Sequence, residues 1–348
     1  MYQSSQQFFK LVTSIIISVT KILVSSSSTN PENKTVKSGI LTLRHMCTED
    51  SMQATYERVQ DHFTPTYAGF AANCNGRIIC GERVSRVGVS ALEYIRGLER
   101  SKNVYLFEDN RFTQIKSLNC KRLDPSVVYF PPNIVNDAGV LIITSESGLK
   151  NRMEYLIMDD SFRCNDWHMC LDCVPVKIHT HQTNIFQNKL ILTGGELHRA
   201  ATEWEKWDKQ VDEITESNAW EGTISFEPEL RVKWNPLPAM IVHRYYHVAV
   251  VIGDKLFCIG GHNTKSTEYY SFVTNSWQKG PDLPFILHGA TGVVNPILGQ
   301  CFIVCSIAMD DLGNNYSSKV YLFDPQKGLI DVKGEFDIGR MNNIAVLL

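Results

Sequence analysis

The clearest hydrophobic pattern in the chain lies in the 43 residues from 243 to 285, HRYYHVAVVIGDKLFCIGGHNTKSTEYYSFVTNSWQKGPDLPF. Val248 to Ile252 is an apolar run that turns at Gly253-Asp254 into a second, Lys255 to Ile259, which stops at Gly260-Gly261. A polar turn follows, then a strand around Tyr269 to Val273, a turn at Thr274-Asn275-Ser276, and a fourth strand opened by Trp277. Short apolar runs punctuated by Gly, Asn and Pro predict four antiparallel strands joined by tight turns.

The pattern recurs with decreasing fidelity. Upstream, Asn184 to Glu196 (NIFQNKLILTGGE) places Gly194-Gly195 where Gly260-Gly261 stand. After an insertion, SFEPELRVKWNPLPAM supplies Phe226, Trp234 and Leu237-Pro238 for the roles of Tyr270, Trp277 and Leu283-Pro284. Downstream, Ala290 to Ile307 and KVYLFDPQKGLI give four more strands, with no diglycine and Ile330 in place of the tryptophan. Gly139 to Glu146 with Arg152 to Trp167 makes a divergent unit, and Tyr67 to Glu82 with Val104 to Ile115 makes another. A fixed supersecondary unit repeated at this spacing predicts a repeat architecture in which stacked units bury faces that no single sheet can bury.

Residues 243–285 resemble a kelch repeat: a diglycine after strand two, Tyr270 seven residues before Trp277, and the Leu283-Pro284 exit. The resemblance extends over roughly 66–348 and implies an all-β, kelch-type β-propeller. Its glycines let backbones crowd where a side chain would clash, and its Tyr/Trp pair wedges between adjacent blades. Five blades are recognisable, at about 66–122, 123–174, 175–239, 243–285 and 288–338, followed by a last strand, 340–348. That strand resembles the inner strand of a sixth blade, and Ser38 to His45 alternates well enough to supply an outer strand. A ring sealed by both termini is the expected closure, with an open propeller as the alternative. Residues 1–37 are expected to be a hydrophobic extension and linker.

Composition changes this picture little. At 348 residues and 43% hydrophobic content, one large β-rich domain fits. The net charge is −3 with Lys and Arg scattered singly, which argues against nucleic acid as a partner. Ten cysteines are few for this length, and Cys80, Cys258, Cys301 and Cys305 sit in apolar strands as small hydrophobes, which suits the reducing cytoplasm. Residues 8–26 offer a secretory alternative, with Leu11 to Val19 as a signal core. Lys21 interrupts that run, which is also too short and charged for a membrane span. Ser51 to Phe63 shows weak helical periodicity.

Three constellations are candidates for chemistry. Cys164, His168, Cys170 and Cys173, with His179 and His181 beyond, hold soft ligands and one C-x-x-C. Strand alternation would turn Cys170 and Cys173 to opposite faces, so no metal is expected and zinc stays the lesser alternative. The second set is positional: Arg122, His179, Arg244, His288 and Arg340 each precede a blade's first strand, with Tyr245 and Tyr246 beside Arg244. In a propeller those positions converge on one face, where cations and imidazoles suit an acidic peptide and tyrosines supply contact area. Their structural alternative is bonding to loop carbonyls of a blade. The third is the insertion Leu197 to Gly222, where Trp204, Trp207, Val211 and Ile214 follow a helical spacing.

No Gly-x-Ser-x-Gly, phosphate loop or dinucleotide fingerprint occurs, and Asp159-Asp160 and Asp310-Asp311 fall in turns. The expected function is a non-enzymatic, protein-binding scaffold or adaptor without a cofactor. A small-molecule or sugar-processing propeller enzyme is the alternative.

Overall fold

The computed structural model describes residues 16–28, 36–46, 51–58, 67–83, 102–109, 111–122, 124–144, 152–175, 178–197, 218–295, 299–305, 307–310, 313–316, 319–335 and 340–347. Its regular structure is β throughout. The first strands are β1 (Ile16–Ser28), β2 (Val36–Met46) and β3 (Ser51–Arg58). The first blade follows as β4 (Tyr67–Cys74), β5 (Arg77–Arg83), β6 (Val104–Glu108) and β7 (Arg111–Ile115). The second is β8 (Ser126–Phe130), β9 (Val140–Thr144), β10 (Arg152–Ile157) and β11 (His168–Cys173).

The third blade is preceded by a two-residue strand, β12 (Ile178–His179). Its sheet is β13 (Gln182–Phe186), β14 (Lys189–Thr193), β16 (Ala219–Phe226) and β17 (Leu230–Pro236), while β15 (Glu196–Leu197) pairs back with β12. The fourth is β18 (Val248–Ile252), β19 (Lys255–Ile259), β20 (Thr267–Ser271) and β21 (Ser276–Lys279). Before the fifth comes β22 (Ile286–His288). That blade is β23 (Thr291–Asn295), β24 (Gln300–Val304), β27 (Lys319–Asp324) and β28 (Gly328–Glu335). A hairpin inserted in it, β25 (Ile307–Asp310) and β26 (Gly313–Tyr316), pairs with β22.

Each blade is an antiparallel meander in chain order, and the inner strands follow one another around an axis: β4 lies against β8, β8 against β13, β13 against β18, and β18 against β23. The core therefore lies between blades. Phe70, Leu106 and Ile115 of the first pack with Leu141, Leu156 and Trp167 of the second. Val250, Phe257 and Ile259 of the fourth pack with Cys301, Ile303 and Phe323 of the fifth. Burying a Leu, Ile or Phe in this way contributes roughly 1.5–3 kcal/mol each, and such contacts hold the five blades together, since among the described residues no strand ladder joins one of them to the next.

The aromatic wedges occupy these seams. Trp277 sits with Tyr270, ring centroids 5.3 Å apart, among Phe186, Ile191 and Leu237 of the preceding blade. Its indole N–H donates to Pro238 O at 2.8 Å, and that of Trp167 to Lys116 O at 3.0 Å, each reaching the preceding blade's exit. Phe226 does not play the part of Tyr270. Leu256 pairs with Tyr270, whereas its counterpart Leu190 pairs with Gly222. A Cβ at Gly222 would meet the Trp234 ring at 2.9 Å, so that ring fills the space. Phe226 lies four residues on, at the turn.

At the termini, β29 (Arg340–Leu347) pairs with β1, β1 with β2 and β2 with β3, and one parallel pair, Lys333 with Gln53, links β3 to β28. β29 lies against β23 on one side and β4 on the other. Ser51 to Arg58 is a strand, not the helix its periodicity suggested. Eight paired positions along β2 decide that weak local preference. Of the hydrophobic extension, Ile16 to Ser28 is strand, and the rest, 1–15, lies outside the described residues, as do 198–217 with Trp204, Trp207, Val211 and Ile214. Among the described residues no helix is long and apolar enough to cross a membrane.

Candidate functional site

Pairing register makes positions comparable from blade to blade. Two residues before the inner strands of the second to fifth blades, Asp124, Thr180, Tyr246 and Gly289 all take a left-handed φ, between 41° and 66°. This repeated twist turns each lead-in segment into its blade, and three of the four residues are not glycine, a conformation held by surrounding contacts. The lead-ins are joined by backbone bonds: Tyr246 N–H donates to Thr180 O at 3.2 Å and Gly289 N–H to Tyr246 O at 2.9 Å. The diglycines belong to the same system. Gly195 N–H donates to Arg244 O and Gly261 N–H to Leu287 O, both at 2.8 Å. A Cβ on Gly194 would collide with Arg244 O, and one on Gly260 would meet Leu287 O at 2.7 Å. Glycine is required there because the next blade's backbone lies against it.

Arg122 and Arg244 are not placed to offer charge to a ligand. They are 4% and 0% exposed. Arg122 binds Glu154 through Nε at 3.0 Å and Nη2 at 2.8 Å. Arg244 binds Glu268 through Nε at 2.8 Å and donates through Nη1 to Gly260 O and Ser266 O, both at 2.7 Å. The two glutamates are equivalent positions of the third strands, and each also caps two lead-in N–H groups. Those are Asn119 and Cys120 for Glu154, and Ile241 and Val242 for Glu268. A buried guanidinium needs such partners, and the requirement outweighs any display at the surface. In blades three and five the equivalents are Ile178 with Trp220 and Leu287 with Tyr321, apolar at both positions. The glutamates were the residues that sequence reasoning missed, although Glu268 inside the apolar run TEYYS was a visible signal.

The next position carries a second repeated contact. His181 Nε2 lies 3.0 Å from Thr144 Oγ1, and His247 Nε2 lies 3.1 Å from Thr193 Oγ1, each joining a lead-in to the blade before it. Burial, then the Arg244 charge, holds His247 well below the usual imidazole range, so it is neutral at pH 7.

Among the described residues, this face also carries a cluster of aromatic and imidazole rings. Tyr245 stacks on His262 with centroids 4.7 Å apart, Tyr246 lies 4.5 Å from His288, and His243 lies 5.9 Å from Tyr245. His262 and His288 approach through Nδ1 atoms 3.3 Å apart. Tyr246 O–H donates to Asp124 Oδ2 at 3.1 Å, reaching from blade four to the lead-in of blade two. All five rings are half-buried. Burial, then nearby Glu196, pushes the Tyr245 phenol up to about 12, and burial lowers His262. Of the other expected residues, His179 pairs with Glu196 in the β12–β15 ladder and Arg340 with Ser28 at the start of β29, and their side chains lie outside the described residues.

The soft-ligand set is not brought together. The Cys170 thiol is buried against Leu230 O at 3.3 Å and pushed up to about 11 chiefly by that burial, whereas His168 is exposed and stacks on Tyr155. Cys164 and Cys173 are exposed thiols. Among the described residues no three His, Cys, Asp or Glu side chains share a metal-holding arrangement. Asp159 serves its turn, accepting from Ser161 and Asn165, which keep its carboxyl below the ordinary range.

A family profile described as "Kelch motif" matches residues 243–284, which span blade four and its lead-in. No curated protein matches the chain in sequence. The solved "Structure of YjhT" is similar in fold, with a TM-score of 0.56 and 13% identity over 81% of this chain and 87% of that one. Five radially arranged blades, with the motif, its diglycine and its Tyr270/Trp277 wedge in the fourth, make this chain a kelch-repeat β-propeller.

Proposed function

We propose that the chain is a protein-binding propeller, a scaffold or adaptor, whose partner docks on the face formed by the lead-ins and the connections between second and third strands. The observation that carries this reading is the half-buried ring cluster Tyr245, Tyr246, His243, His262 and His288. Such amphipathic groups bury much area while losing little side-chain freedom, and they concentrate at interface hot spots. The wider ring of cations drawn from sequence is reduced here, because Arg122 and Arg244 serve the fold.

The test is site-specific photocrosslinking from position 245, compared with position 273 in the β20–β21 turn on the opposite face. Val273 is 74% exposed and Tyr245 is partly exposed. Partner adducts confined to 245 support the reading, and equal labelling from both sites contradicts it. A small-molecule-processing propeller is the second reading, favoured by the close His262/His288 pair and by the downward shift of His262.

A further inference from the structure

His262 and His288 come from different blades, one from the turn after β19 and the other from β22. With the Nδ1 atoms 3.3 Å apart, a hydrogen bond between the rings has one Nδ1 donating and the other accepting, the tautomers fixing which. Neither ring is loosely held. His262 stacks on Tyr245 and its backbone N–H donates to Tyr245 O at 2.9 Å. His288 lies against Tyr246, whose carbonyl accepts the N–H of the following residue, Gly289. An added proton enters the other nitrogen of the donor ring and leaves the Nδ1 bond in place, so the pair becomes one shared cation. A carboxylate is the complementary partner of that cation, through charge-assisted bonds.

Building on the docking reading above, we infer that His262 and His288 clasp a carboxylate of an acidic partner peptide and take up one proton as they do so. Docking then tightens as the pH falls. Among the described residues, the groups around the pair include Tyr245, Tyr246 and His243 from the lead-in of blade four, and Lys265 further along the turn that carries His262. Glu196 in β15 acts on Tyr245, and Asp124 is held by the Tyr246 hydroxyl. Arg244 is committed to Glu268 beneath them, and β25, which contains Asp310, runs beside His288. Asp124 and Glu196 favour the protonated pair and oppose an anionic ligand, so the test varies the ligand's charge alone. The sign is fixed by the two states. Burial keeps His262 below its ordinary value in the free protein, and a bound carboxylate raises it. Affinity therefore climbs as the pH falls through the bound-state pKa and levels off below the free-state value.

The experiment titrates the full chain with a fluorescein-labelled peptide bearing alternating glutamates, and with its glutamine counterpart, from pH 7.5 to 5.5 at constant ionic strength. The glutamate peptide is expected to bind up to about tenfold more tightly per pH unit over part of this range, the uptake of one proton. The glutamine peptide stays flat, and His262→Gln or His288→Gln removes the slope. Calorimetry on the unmodified chain in two buffers of different ionisation enthalpy reads the proton directly, independently of how the variants fold. A flat titration, equal binding of both peptides, no binding of the glutamate peptide, or zero proton uptake overturns the inference. Adducts from position 245 alongside a flat titration would sink the proton linkage alone, whereas their absence would sink the docking reading.

Discussion

Arg244 and Glu268 form a buried ion pair, Nε to Oε1 at 2.8 Å, and Arg122 with Glu154 repeats it two blades earlier. In each case the glutamate fixes the lead-in twice, once through the guanidinium and once through two backbone N–H groups. Removing one partner leaves the other charged and buried. Glu268→Ala should therefore destabilise the protein by about 3–5 kcal/mol. Arg244→Leu with Glu268→Tyr copies the Leu287/Tyr321 pair of blade five and should cost clearly less than the two single changes added together. A double-mutant cycle in urea checks this, with a coupling of at least about 1.5 kcal/mol expected and additivity as the contrary result.

His247 makes stability depend on pH. Its folded pKa is depressed, so the unfolded chain binds a proton at about 6.5 that the folded chain refuses. This contribution is fully present above about pH 6.5 and is lost as the pH falls below it, by up to about 1.4 kcal/mol per pH unit. Urea midpoints from pH 7.5 to 5 should fall more steeply in the parent chain than in His247→Gln, which retains a group able to reach Thr193. Parallel curves would contradict the assignment.

Gly194 tests the close approach between blades three and four. Its φ of 59° and the Arg244 carbonyl leave no space for a methyl group. Gly194→Ala should cost roughly 1–3 kcal/mol. Gly253→Ala shares a positive φ but meets nothing within 4 Å, so it should cost less. Equal losses would show that the backbone angle, and not the neighbouring blade, sets the requirement.

The termini make a further prediction. Leu23 lies opposite Val346 and Val24 opposite Ala345. If both ends of the chain seal the ring, cysteines introduced at one of these adjacent pairs should form a disulfide under mild oxidation and raise the melting temperature. Failure of both pairs to crosslink would leave the ring open at this point.

The diglycines, the Trp167 and Trp277 wedges and most strands were legible because tight turns and close backbones restrict residue type strongly. Phe226 departs from its expected part because the turn after β16 is longer, so that Gly222, covered by the Trp234 ring, holds the register position that Tyr270 holds in blade four. The helical periodicity over 51–63 gives way to a strand over 51–58, because pairing with β2, distant information for a local pattern, decides that part, while 59–63 lie outside the described residues. For the site, sequence order identified which segments converge on one face. It did not reveal that two arginines there point inward, since their glutamate partners lie in strands 24 and 32 residues further on. His262 entered the site for the same reason, placed by the turn after the diglycine and not by any lead-in.

Hydrogen exchange on the full chain, alone and bound to its captured partner, tests the docking face most directly. The account predicts new protection at residues 243–246, 260–266 and 286–289, with the turns at 253–254 and 272–275 unchanged. Protection concentrated at those opposite turns, with the Tyr245/His262 region exchanging as before, would contradict it.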